Sequence, residues 1–126
     1  MFILIAEDNA EVGRMLLSIL PRFISDAKVV VISDALEIAT TMQAIAGGDK
    51  STWPDVVISD YHLVNGTGDF VLQLAAQLFP DARLILMSGG ADPKRVQDTQ
   101  TKVSPRKLIF LQKPFATAHL VEAIKG

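Results

Sequence analysis

The sequence predicts an α/β domain, a doubly wound sheet of five parallel strands with helices on both faces, and three observations carry that reading. Five short runs rich in Val, Ile and Leu recur at 2–6, 29–32, 56–58, 84–87 and 108–111. Each is almost continuously apolar rather than alternating, the pattern of strands buried on both faces. Segments of helical period separate them, so strand and helix alternate five times, and right-handed crossovers then place helices on both sides of one open sheet. The chain has 126 residues, 49% hydrophobic and 21% charged, which suits one compact core with no second domain. We therefore expect a single domain over 1–126.

The first run ends at Glu7-Asp8-Asn9. Behind it Val12, Met15, Leu16, Ile19, Leu20 and Phe23 recur at i, i+3, i+4, i+7, i+8 and i+11, one stripe of an amphipathic helix. Pro21 is expected to end or kink that helix. A weaker stripe of Ile38, Met42 and Ile45 follows the second run, and a loop over 47–53 leads through Trp53-Pro54 into the third. Phe70, Val71, Leu74, Ala75 and Leu78 mark the third helix. The fourth is framed by an Asp92 cap with Pro93 behind it and by the Ser104-Pro105 stop. Only Val96 and Val103 are bulky and apolar within it, so it is expected to be the most weakly anchored of the five, as a solvated helix or a movable element. A short last helix turns Leu120, Val121 and Ile124 inward.

Composition excludes several classes of function. Zero cysteines rule out disulfides, thiolate metal sites and a thiol nucleophile. A net charge of −2 and a pI near 5.6 give no electrostatic footprint for nucleic acid. The opening residues lack a basic segment and reach Glu7-Asp8 after five apolar residues, unlike a signal peptide. No apolar run nears the roughly 18 residues that span a bilayer. No membrane partner and a cytoplasmic location are expected.

Ligands of open α/β sheets bind beyond the carboxyl ends of the strands. The residues there are Glu7, Asp8 and Asn9 after the first run, Asp60 after the third, Ser88 after the fourth and Lys113 after the fifth. Three carboxylates on one rim repel one another unless a cation neutralises them. An all-oxygen donor set with room for water suits Mg²⁺ better than zinc or iron. The same acidity argues against a flavin or dinucleotide phosphate at this rim. Gly66-Thr67-Gly68 lacks the third glycine of a dinucleotide fingerprint, since position 71 is Val, and no Walker A motif is present. A carboxylate beside a metal ion, an ammonium and a hydroxyl is a nucleophile toward phosphorus, and Asp60, on the central strand, is the best placed.

These residues are Ile-Leu-Ile-Ala-Glu-Asp-Asn at 3–9, Pro-Asp-Val-Val-Ile-Ser-Asp-Tyr-His-Leu at 54–63, Gly68, Met-Ser-Gly at 87–89 and Gln-Lys-Pro-Phe at 112–115. In that order and spacing the chain resembles the receiver domains of two-component response regulators over essentially its whole length. The resemblance implies a CheY-like, flavodoxin-like three-layer sandwich of strand order 2-1-3-4-5. It implies that Asp60 accepts a phosphoryl group from a sensor histidine kinase or a histidine phosphotransfer protein. Glu7, Asp8, Asp60 and the backbone carbonyl of His62 would hold Mg²⁺, directly or through water. Lys113 would pair with the phosphoryl oxygens across a cis Lys113–Pro114 bond, and Ser88 would swing to bond them. Phe110, where Tyr is commoner, would be the aromatic switch residue, against the plainer reading of core in the fifth strand. The face made by the fourth helix, fifth strand and fifth helix would be the output surface for an unidentified partner.

The sequence departs from the family at Leu63-Val64, where Met-Pro is usual, and the acceptor loop loses a stiffening proline. Gly90 should leave the attacking water unobstructed, while His62 either bonds that water or faces solvent. His119 is expected at the surface, far from the rim. The leading reading is a phosphoacceptor switch and not an enzyme in the ordinary sense. The alternatives are a docking module of the same fold and a metal-dependent phosphohydrolase. The last is disfavoured because His62 stands where the haloacid-dehalogenase type has its second Asp. No helix-turn-helix follows, and a start directly on the first strand favours a stand-alone or N-terminal position.

Overall fold

The computed structural model describes residues 1–90 and 92–126. Five strands, β1 (Phe2–Ala6), β2 (Lys28–Ile32), β3 (Val56–Asp60), β4 (Arg83–Ser88) and β5 (Leu108–Gln112), alternate with five helices. These are α1 (Ala10–Phe23), α2 (Ala35–Ala46), α3 (Gly68–Leu78), α4 (Pro93–Val103) and α5 (Thr117–Lys125). The strands form one parallel sheet in the order 2-1-3-4-5.

The two-residue period of a strand sends alternate side chains to opposite faces, and the core splits accordingly. Leu4, Ala6, Val57, Leu84, Leu86 and Leu108 pack with Ile38 and Met42 of α2, Val71, Leu72 and Ala75 of α3 and Val103 of α4. Ile3, Ile5, Val56, Ile58, Ile85, Met87 and Leu111 pack with Leu16 and Leu20 of α1 and Leu120 and Ile124 of α5. The three layers are thus α2–α3–α4, the sheet, and α1–α5. The same alternation continues past the strand ends. Glu7, Asp60 and Lys113 stay in step with the α1–α5 face, and Ser88 with the other.

Several expectations need correction. The buried stripe of α1 is Gly13, Leu16 and Leu20; Met15 and Phe23 are exposed. Gly13 lies on the sheet because a Cβ there would already stand 3.3 Å from Val31 Cγ1, so the helix turns its smallest residue inward. Pro21 does not end α1, which runs through it to Phe23. The hydrogen bond a proline deletes is the one to the Leu17 carbonyl. Leu17 lies on the solvent side, and the Ile24 N–H still reaches the Leu20 carbonyl at 2.9 Å. Phe70 likewise points outward, and α3 buries Val71, Leu72 and Ala75 instead. The 47–53 loop contains a 3₁₀ turn, Lys50–Thr52, capped by the Asp49 side chain. Trp53 packs edge-on against Phe79 at 5.6 Å.

Helix α4 buries Val103 and Thr99, while Val96 is only half-covered. What ties it down is polar. Gln100 donates to the Arg106 carbonyl (2.8 Å) and accepts from the Leu108 N–H (2.9 Å), and Lys102 pairs with Asp69 of α3. The Arg106 guanidinium, just past α4, donates to the carbonyls of Ala76, Phe79 and Ala82 and so closes the C-terminal end of α3. Among the described residues no helix is long and apolar enough to cross a membrane.

Candidate functional site

The site lies at the carboxyl ends of β1, β3 and β5. Glu7 follows β1 and is almost wholly buried, while Asp8 beside it is exposed. Asp60 ends β3 with its side chain 13% accessible. One carboxylate oxygen from each of Glu7, Asp8 and Asp60 falls in a group whose members all lie within 4.8 Å of one another. Lys113, just beyond β5, reaches across from the other side. Its Nζ pairs with Glu7 Oε1 and stands 3.2 Å from Asp60 Oδ2. The Lys113–Pro114 bond is cis. The Asp60 Oδ1 accepts the Tyr61 N–H at 2.8 Å, so both acceptor oxygens are oriented. Asn9, the neutral last residue of the Glu7-Asp8-Asn9 run, caps α1 by accepting the Glu11 and Val12 N–H groups.

The electrostatics are unbalanced. Burial pushes the Glu7 carboxyl up from 4.5 to about 7; the Lys113 ammonium opposes that rise, and the neighbouring Asp60 adds to it. Lys113 is itself desolvated, yet its two carboxylate neighbours hold it above the ordinary lysine range. Three carboxyl groups face one ammonium, an excess of two negative charges in a partly dry cleft once Glu7 is ionised. Hard oxygen donors with that excess fit a divalent cation of the Mg²⁺ type. Glu7, Asp8 and Asp60 are the side chains that would hold it.

Ser88 ends β4, buried, and its hydroxyl donates to the Gly90 carbonyl over 3.4 Å, a long bond that leaves it free to turn. Phe110 sits in β5 opposite Leu86, on the same sheet face as Ser88 and one pleat below it. It lines a groove of about 490 Å³ with Val96, Gln97 and Gln100 of α4 and with Leu108. His62 is exposed; its Nε2 lies 3.1 Å from Arg95 Nη1, and its ring meets the Tyr61 ring edge-on at 5.2 Å. His119 is exposed on α5.

The loop that replaces Met-Pro by Leu63-Val64 is stiff by other means. His62–Leu63 pairs with Gly66–Thr67 in a short antiparallel ladder. Val64 exchanges backbone hydrogen bonds with Ser33 and Ala35, and Asn65 donates its amide to Asp34 at 2.6 Å. The loop after Asp60 is thereby strapped to the β2–α2 connection. Sequence reasoning missed Arg95, Arg106, Asp34 and Asn65 in these roles. Of these only Asp34, a cap residue before an apolar stripe, carried a local signal.

No family model matches the chain, and no curated protein matches it. Solved structures do. A response regulator receiver domain protein from Clostridium thermocellum superposes with a TM-score of 0.80 at 19% identity, covering 98% of this chain and 90% of that one. The chemotaxis protein CheY4 of Vibrio cholerae gives 0.77 at 21% identity, over 98% and 95%. The signal receiver domain of an HD domain-containing protein from Pseudomonas fluorescens gives 0.71 at 23% identity, over 98% and 90%. At such identities the likeness is one of fold, and the fold is that of CheY-like receiver domains.

Proposed function

We propose that residues 1–126 form a receiver domain that takes a phosphoryl group on Asp60 from a phosphohistidine of a kinase or phosphotransfer protein. One observation carries this reading. A carboxylate at the end of the central strand is held 3.2 Å from a lysine ammonium, with two further carboxylates beside it. An ordinary ion pair needs no such surplus of acid, whereas a site that receives a dianionic phosphoryl group with a divalent cation does.

In the transfer, an Asp60 carboxylate oxygen forms the new P–O bond as the P–N bond to the donor imidazole breaks. The imidazole leaves with the bonding pair. Lys113, already in reach of Asp60, then bonds a phosphoryl oxygen, and the Ser88 hydroxyl turns from the Gly90 carbonyl to bond another. Glu7, Asp8, Asp60 and the His62 carbonyl would hold a Mg²⁺ ion, which would supply the remaining charge neutralisation. Water later hydrolyses the acyl phosphate and restores the carboxylate. The protein is thus a switch that assists its own phosphorylation, with the α4–β5–α5 face as its output surface. That Phe110 borders an apolar groove on this face supports its part in the switch.

The test is intact mass after incubation with Mg²⁺ and phosphoramidate, wild type against Asp60→Asn. One Mg²⁺-dependent phosphoryl adduct in the wild type, absent in Asp60→Asn, is the expected result. No adduct on a folded, Mg²⁺-binding protein favours the docking-module reading, and an adduct that survives Asp60→Asn refutes Asp60 as acceptor.

A further inference from the structure

The residues just past the acceptor make a contact that the site does not use. Asp60 is in step with the α1–α5 face of the sheet, and Tyr61 falls on the other, packed against the core under α2, α3 and α4. Its ring carries the Arg95 guanidinium of α4, whose Cζ lies 4.3 Å from the ring centroid. The same guanidinium is 3.1 Å from His62 Nε2. A guanidinium has only donors, so that nitrogen must accept. Arg95 therefore grips two consecutive residues of the acceptor loop at once, by cation–π contact and by a hydrogen bond.

Among the described residues this is the side-chain hydrogen bond joining the first turn of α4 to another element; the Gln100 and Lys102 ties lie farther along. The grip is linked to the acceptor because the Tyr61 N–H is shared between Asp60 Oδ1 at 2.8 Å and the Met87 carbonyl of β4 at 3.1 Å. A redirected Asp60 Oδ1 leaves that N–H to the Met87 carbonyl alone, which shifts the backbone carrying the ring under Arg95.

We propose that Arg95 is a positioning residue that couples the acceptor to helix α4, so that events at Asp60 reach α4 through Tyr61 and His62. This rests on the reading of Asp60 as phosphoacceptor. It gives the chain a route to the output face that does not pass through Ser88 and Phe110, whose ring offers no hydroxyl to couple with.

The experiment is amide hydrogen exchange of the full chain, read over 94–99 before and after treatment with phosphoramidate and Mg²⁺, with the adduct counted by intact mass in each sample. The variants are Arg95→Ala, Tyr61→Leu, their combination, and Lys94→Ala as a neighbouring control. Exchange over 94–99 in unmodified Arg95→Ala should be on the order of ten-fold faster than in wild type. Tyr61→Leu, which leaves the His62 bond in place, should give part of that increase, the double variant should go no further than Arg95→Ala, and Lys94→Ala should resemble wild type. Phosphorylation should change exchange over 94–99 in wild type and add little in Arg95→Ala. A merely structural loss at either position would instead add in the double variant and leave the phosphorylation response intact. Either of those results, or wild-type exchange in Arg95→Ala, overturns the proposal. If wild type takes no adduct, the acceptor reading fails and the coupling falls with it. The cycle on unmodified protein then still reports separately whether the grip exists.

Discussion

Glu7 offers a test that reads the electrostatics of the site without any phosphoryl donor. Its carboxyl is buried and its proton is held up to about 7 instead of the ordinary 4.5, by burial first, with Asp60 adding to the rise and Lys113 opposing it. The folded protein therefore retains a proton that the unfolded chain has released between those two values. Stability must fall as pH rises through that window and then level off above about 7. At about 1.4 kcal/mol per pH unit the full loss is about 3–4 kcal/mol, a large share of a small domain's stability. Glu7→Gln keeps the shape and removes the ionisation. Urea denaturation with a chelator present, at half-unit steps from pH 5 to 8.5, should show the wild type losing about 3 kcal/mol relative to Glu7→Gln. Mg²⁺ added to the wild type should restore more stability at pH 8 than at pH 6, because the cation binds the ionised cluster and adds RT ln(1 + [Mg²⁺]/Kd). The raised Lys113 acts in a separate window, since its stabilisation is complete below the ordinary lysine value and is lost only above it. Parallel pH–stability profiles for wild type and Glu7→Gln would refute the claim that a buried carboxylate only partly compensated by Lys113 organises this site.

Two further substitutions probe the surroundings of Asp60 and of helix α3. At Gly68 an added Cβ would press on the Asp60 carbonyl oxygen and stand 2.9 Å from Ser59 Oγ, both buried neighbours in β3. Gly68→Ala should cost about 3 kcal/mol in urea denaturation and lower the yield of phosphoryl adduct, since relief requires Asp60 itself to move. Arg106→Met removes three donors from the carbonyls that end α3 and should lower stability by about 2–3 kcal/mol, with Arg106→Lys recovering only part of it.

The sheet was legible because its three inner strands are buried on both faces and so write themselves as unbroken apolar runs, while the half-covered edge strands β2 and β5 are still rich in Val, Ile and Leu. The site residues could be picked out because they stand one or two positions beyond those runs. Helix faces were less legible where a residue other than the large apolar ones decided the rotation. In α1 the close approach of Gly13 to Val31 turns Met15 outward, and in α3 the pairing of Asp69 with Lys102 and Thr67 lets a carboxylate take a buried position while Phe70 faces solvent. Hydrophobic periodicity never weighs a glycine or an aspartate above a phenylalanine.

That blind spot matters most at helix α4. Judged by its two valines it should be loose, yet Arg95, Lys102 and the neighbouring Arg106 give it and α3 directional ties to sites far away in sequence, and Gln100 ties it to the approach to β5. Polar ties differ from apolar burial in a way that matters for a switch. Apolar contact weakens gradually as surfaces slide, whereas a hydrogen bond or stacked cation is lost over a fraction of an ångström and leaves its groups able to take up water. A helix held mainly by such ties has few intermediate positions and needs only a small displacement at its first turn to be released. The same logic holds at the acceptor loop, where Asp34, Val64 and Asn65 supply by hydrogen bonds the stiffness that proline would have built into the backbone. A loop stiffened by proline is rigid in every state, while one strapped by Asn65 to Asp34 is rigid only while the strap holds. Both connections that lead away from Asp60, toward α2 and toward α4, are therefore of the kind that a change of charge at one carboxylate can break.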